Sequence, residues 1–184
     1  MMTKPRTKLW TREEARFLQH SGLLDDGQYE LVEGELLRKM PKNPAHVTAT
    51  RQTNHWAVEH FGESFVRAQD PLILDLFNEP EPDVAITKDS EDAYLELHPT
   101  ATEVHLVVEI SDSTLEYDLT RKASLYARAG VAEYWVLDLP NRRLHVHLDP
   151  SEAGYGRILT LAESQTIAPL AHADATVLVS TLLP

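Results

Sequence analysis

Cysteine is absent from the 184 residues. That excludes disulfide staples, thiolate metal sites and thiol nucleophiles, and it suits a reducing cytosol. Long apolar runs are missing as well. No stretch approaches the ~20 residues a membrane helix needs, and the opening MMTKPRTKLW has basic residues without the apolar segment of a secretory signal. The expectation is a soluble, cytoplasmic protein with no membrane partner. Basic residues are scarce, 17 Lys and Arg against 29 Asp and Glu, for a formal charge of −12. This excludes an all-over phosphate-binding surface, but it leaves room for one basic groove or for an acidic site balanced by a bound metal. Repeats, low-complexity tracts and linkers are also lacking, so the chain reads as a single domain large enough to bury a core.

What is present centres on VHLVVEISDSTLEYDLTRKASLYARAGVAEYWVLD, residues 104–138. The apolar, β-branched run 104–110 predicts a strand covered on both faces. Glu109 stands near its carboxyl end, where open α/β sheets place ligand sites. Residues 111–114 supply turn and cap chemistry. A helix near 117–129 follows, with Leu119, Ala123, Tyr126 and Ala129 on its buried face and Gly130 as its C-terminal cap. A second core strand covers 133–138. Lys122 lies next to the helix's buried face, four residues after Asp118. One reading is an ordinary helix ion pair worth ~0.3–0.5 kcal/mol; the other groups Lys122 with carboxylates elsewhere.

Around this centre, Thr11 and Glu14 form a capping box that predicts a helix to about Leu18, ending before Gly22. YELVEGELLRKM predicts a hairpin turning at Glu33-Gly34, with Tyr29, Leu31 and Leu36 as core contacts. Of its acids Glu30, Glu33 and Glu35, roughly two should only solvate a face. Pro44 opens a helix to about Phe61, with Val47, Thr50, Asn54, Ala57, Val58 and Phe61 on one stripe. His46 and His60 face alike but lie about 21 Å apart along the axis, so they cannot share an ion, and any role for His46 needs a partner elsewhere. A strand is predicted at 65–69, continuing over 72–76. The proline-bounded loop 78–82 then delivers Asp83 to the start of a strand at 83–86.

Downstream, 143–148 is expected to pair with 133–138, and 157–161 to follow a Gly-Tyr-Gly turn. His145 and His147 project from one face, read as an exposed or stacking pair because no third ligand is evident. Residues 166–167 and 176–179 are expected to form a β-rich edge or dimerisation flap.

Two carboxylates a few ångströms apart repel unless one is protonated or a cation lies between them. Mg²⁺ favours one or two carboxylates with water and phosphate oxygens. Such an ion activates water and clamps a phosphate, and a neighbouring ammonium can steady the hydroxide or the transition-state charge. Asp83, Glu109 and Lys122 together therefore name metal-dependent phosphodiester hydrolysis.

PEPDVAI, followed by VVEISDSTLEYDLTRKASLYARAGVAEYWVLD, resembles the Uma-two family of restriction-endonuclease-like proteins, a branch of the PD-(D/E)XK nuclease superfamily. The resemblance extends to YELVEGEL, Pro44-Ala45-His46, AQDPLIL and RRLHVHLDPSEAGYGRILTL. It implies an α/β, restriction-endonuclease-like core with a mixed central sheet flanked by helices and additional C-terminal β-strands. The N-terminal helix and hairpin would span 9–40, the core 44–138 and the β extension 142–184. It further implies a homodimer that cleaves DNA with Mg²⁺ or Mn²⁺, Asp83 and Glu109 as metal ligands, and Lys122 as catalytic base or charge stabiliser. In the general superfamily pattern the lysine stands two residues after the acid on the same strand; here Ser111 occupies that position, and the resemblance moves the lysine to Lys122. Glu30, His46 and Gln69 match family positions near the site as secondary candidates. Asp118 matches too, and helix capping or orientation of Lys122 accounts for it. The rivals are a nuclease-derived DNA-binding or regulatory dimer that does not cut, and a structural dimer in which Asp118 and Lys122 simply pair.

Overall fold

The structure is a computed structural model that describes residues 7–25 and 28–184; the basic stretch at 1–6 lies outside them. The chain begins with α1 (Arg12–His20), the hairpin β1 (Tyr29–Val32) and β2 (Glu35–Arg38), and the long helix α2 (Pro44–Phe61). Then come β3 (Val66–Arg67), β4 (Val84–Thr87) and β5 (Val104–Ser111). A continuous helix, α3, spans 115–129. It is α-helical over Leu115–Tyr117, widens into a π turn over Asp118–Lys122, and returns to α-helix over Ala123–Ala129. Strands β6 (Glu133–Asp138), β7 (Arg143–Ser151) and β8 (Gly154–Ala162) follow, then β9 (Thr166–Ile167) and β10 (Val177–Leu178).

The central sheet has six strands in the order β3-β4-β5-β6-β7-β8. Only β5 and β6 run parallel. A parallel pair cannot be joined by a tight turn and needs a crossover, which α3 supplies. Alternation along the strands then sorts the core into two layers. Leu106, Val108 and Ile110 of β5 pack with Val84, Ile86, Trp135 and Leu137 against Ala49, Trp56 and Ala57 of α2. Val107 packs with Ala85, Tyr134 and Val136 against Ala123 and Tyr126 of α3. Glu109 belongs by parity to this second side.

Local signals placed the caps and turns well. Thr11 and Glu14 make the capping box, and Gly130 caps α3 in the left-handed region at φ 84°. The hairpin turns at Glu33 (φ 51°) and Gly34 (φ 75°), the paired positive values of a type I′ turn. A Cβ on Gly34 would lie 2.6 Å from that of Leu9, so glycine is required there by space as well as by φ.

Several expectations are corrected. The strand at 65–69 is only two residues long, and 72–76 does not continue it. Gln69 and Leu72 instead donate their N–H groups to the carbonyls of Pro82 and Pro80. Prolines accept but cannot donate, so this ladder runs one way and no regular strand forms. The buried face of α2 is Ala49, Thr50, Thr53, Trp56 and Ala57, rotated from the predicted stripe, because Trp56 dominates the packing and stacks on Trp135 with centroids 5.5 Å apart. Helix α3 starts two residues earlier than predicted. Strands β9 and β10 form a separate pair, and Val177, Val179, Leu182 and Leu183 are buried in the α2-side core, not at a sheet edge. His147 is buried and packed in tilted contact with Tyr134 and Tyr155, whereas His145 pairs with Asp138 at 3.3 Å. Among the described residues no helix is long and apolar enough to cross a membrane.

Candidate functional site

The carboxyl end of β5 and the start of β4 border a cleft of about 370 Å³. Val84 pairs with Val108, and one further step of this antiparallel register brings Asp83 opposite Glu109. Both line the cleft, together with Glu30, His46, Asp118 and Lys122.

Asp83 is buried and bonded at both oxygens. Its Oδ2 accepts the Ile110 N–H at 2.9 Å and lies 3.2 Å from His46 Nε2, while Oδ1 accepts the Gln69 side-chain amide at 3.3 Å. Burial works against ionisation, but the His46 and Ile110 bonds and the Lys122 charge outweigh it, and the carboxyl lies below its usual range. Gln69 adopts φ 62°, a left-handed backbone uncommon for a side-chain-bearing residue, so local strain accompanies its approach to Asp83. His46 thus finds its partner outside its own helix, at the start of β4.

Glu109 is buried, and its Oε1 accepts from Lys122 Nζ at 2.8 Å and from the Tyr126 hydroxyl at 2.9 Å. Since both donate to one oxygen, neither occupies Oε2. Burial pushes its pKa up to about 8; Lys122 opposes that rise, and Asp118, Asp83 and Glu30 add to it. Lys122 also lies 3.3 Å from Glu30 Oε2. Its own burial disfavours charge, yet Glu109, Glu30 and Asp118 hold it charged. Within this pair the ammonium keeps its proton, and Glu109 is the member that titrates.

The helix ion pair does not form. Asp118 Oδ2 instead accepts the hydroxyls of Ser111 at 2.6 Å and Thr114 at 2.7 Å, tying the end of β5 to the first turn of α3. The π turn underwinds the helix between Asp118 and Lys122, so residues four apart no longer stack as they do in an α-helix. Lys122 swings off the Asp118 line and onto Glu109.

All six residues singled out from the sequence therefore meet in or beside one cleft: Asp83, Glu109 and Lys122 with Glu30, His46 and Gln69. The expectation that two of the three hairpin acids are idle fails. Glu33 holds Arg121 and Arg128, each at 2.8 Å, and Glu35 holds Arg121, which clamps the hairpin to α3. Sequence reasoning missed Tyr126 as a partner of Glu109; its signal was the i,i+4 spacing from Lys122. It also missed Lys39 and Lys42 at the cleft mouth, where a basic run before Pro44 stands out in an acidic chain.

Among the described residues no three His, Asp or Glu side chains gather closely enough to cage a metal. The donor set is sparser. Asp83 and Glu109 offer hard oxygens beside open volume, the arrangement in which Mg²⁺ keeps waters and takes phosphate oxygens. The acids outnumber the bases in the cleft; burial is the main cause of the raised pKa of Glu109, Lys122 opposes it, and Asp118, Asp83 and Glu30 add a repulsion that a divalent cation would relieve. The residues fit such an ion.

A mixed sheet with one parallel pair, a crossover helix and an acid-lined cleft at the strand end make this a restriction-endonuclease-like α/β protein. The chain belongs to the Uma2 family, described as "Putative restriction endonuclease", which matches residues 15–179. Among solved structures it is similar in fold to a protein described as "a putative nuclease belonging to DUF820" from Anabaena variabilis ATCC 29413. The TM-score is 0.72 at 13% identity, covering 94% of this chain and 96% of that one. No curated protein matches the chain.

Proposed function

We propose that the protein is a metal-dependent endodeoxyribonuclease that hydrolyses phosphodiester bonds of DNA held in the cleft. In this reading Asp83 and Glu109 are the ligands of Mg²⁺ or Mn²⁺, and Lys122 is the catalytic cation. One observation carries it: Lys122 Nζ lies 2.8 Å from Glu109 and 3.3 Å from Glu30, in the cleft with Asp83 and not in an ion pair with Asp118.

When bound, the ion would polarise the phosphate and lower the pKa of a water. The chain's own residues prepare the rest. Lys122, held charged, can stabilise an attacking hydroxide or the added negative charge of the transition state. Glu30 and Tyr126 hold the Lys122–Glu109 pair from either side, and His46 and Gln69 fix the rotamer of Asp83. Burial raises the Glu109 pKa to about 8, so cation binding, which needs the carboxylate, is linked to loss of a proton. The reading includes a homodimer, supported by the exposed edge strand β8.

Plasmid cleavage in Mg²⁺ or Mn²⁺ tests it. Asp83→Ala and Lys122→Ala should each lower the rate by at least about 10²-fold. Equal cutting by the native chain and both variants means that the site is elsewhere. A native chain that binds DNA but cuts in neither metal is a non-cleaving DNA-binding dimer instead.

A further inference from the structure

Three lysines line the cleft, and two are occupied. Lys122 is bound by Glu109 and Glu30. Lys39 donates to the Glu81 carboxylate at 2.9 Å and to the Glu81 carbonyl at 3.2 Å. Lys42 differs. Among the described residues no carboxylate comes within ion-pair distance of its ammonium, although Asp83, Glu81 and Glu109 all act on it from farther off. It is half-buried, and burial is the main influence drawing its pKa down.

The backbone of Lys42 is held on both sides. Pro41 precedes it with a fixed φ. Asn43 follows as the N-cap of α2, its side-chain oxygen accepting the His46 N–H at 2.9 Å. The amide of Asn43 donates across the mouth to Asp112, in the turn after β5. The loop carrying Lys42 is thus tied to both walls of the cleft. A partly desolvated ammonium without a counter-charge is costly unless an anion arrives. The cleft interior is acidic and repels a polyanion, so a strand can approach only where a cation at the mouth offsets that field.

We propose that Lys42 is a substrate-positioning residue that contacts a phosphate of the DNA strand entering the cleft. The proposal rests on the nuclease reading, because that reading supplies the polyanion. Lys42 guides and registers the strand; the chemistry stays with the deeper cluster.

The test is binding of a labelled DNA duplex, followed by fluorescence anisotropy in Ca²⁺ across a salt series. Lys42→Gln should make the slope of log K against log salt shallower by about one unit and weaken binding roughly tenfold near ~0.1 M salt. The loss should be the same for duplexes of unrelated sequence, since a phosphate contact carries no base information. Lys42→Arg should restore the slope, which a merely structural role for the side chain would not predict. A native slope in Lys42→Gln overturns the proposal; if Asp83→Ala and Lys122→Ala still lose cleavage, the nuclease reading stands without it. A native chain that binds no DNA at any salt overturns both.

Discussion

Glu109 carries the electrostatic tension of the cleft. Its raised pKa links the binding of a divalent cation to loss of a proton, so metal affinity should strengthen as pH rises through about 8. Thermal unfolding in Mn²⁺ measures this. At a hundredfold excess over Kd the native chain should gain about 2.7 kcal/mol by mass action, and Glu109→Ala should gain nothing. His147 provides an independent titration. Burial lowers its pKa from 6.5 to about 4, so between these values the unfolded chain binds a proton that the folded chain does not. Stability is therefore complete above pH 6.5 and is lost as pH falls toward about 4. His147→Phe keeps a ring between Tyr134 and Tyr155 and should flatten that acid limb in denaturant titrations. At this scale the sequence revealed which residue types stood near strand ends. It did not reveal that Glu33 and Glu35 are engaged, because their arginine partners lie far along the chain on α3.

The elements decide where the site residues point. The π turn in α3 and the Ser111–Asp118–Thr114 bonds together turn Lys122 toward Glu109. Asp118→Ala leaves the buried Ser111 hydroxyl without its acceptor and should cost ~1–3 kcal/mol. It should also lower the cleavage rate more than it weakens DNA binding, since Lys122 is displaced while the rim is untouched; melting curves and a rate-against-affinity comparison check both. Helix α2 presents His46 to Asp83 because Trp56 anchors it on Trp135, and Trp56→Ala should cost ~3–5 kcal/mol. The Arg121 and Arg128 pairs with the hairpin are more exposed, and each should contribute only ~0.2–1 kcal/mol, weakened by salt. The existence of these elements was legible from caps, proline and β-branched runs. The π turn was not, because it has no composition of its own.

Across the whole molecule, an acidic chain sets Lys39 and Lys42 along the cleft in addition to the buried Lys122, and among the described residues the sheet ends in an unpaired edge. Strand β8 exposes Ile158 at 57% and Leu159 at 40%, and a long edge with apolar side chains invites pairing. A second copy meeting this edge should give a dimer by light scattering, and Ile158→Lys should shift it to monomer. A monomeric native chain at micromolar concentration would remove the dimer from the reading. The sequence by itself determined the capped helices, the hairpin turn at Glu33-Gly34, the buried strand with Glu109 near its carboxyl end and the family, because periodicity, capping and turn preferences act over a few residues. Only the tertiary structure decided that Lys122 leaves Asp118 for Glu109 and Glu30, that His46 reaches Asp83, and that Lys42 stands at the mouth without a counter-charge. Those outcomes depend on strand register and on an underwound helical turn, which bring together residues too far apart along the chain for any local pattern to record.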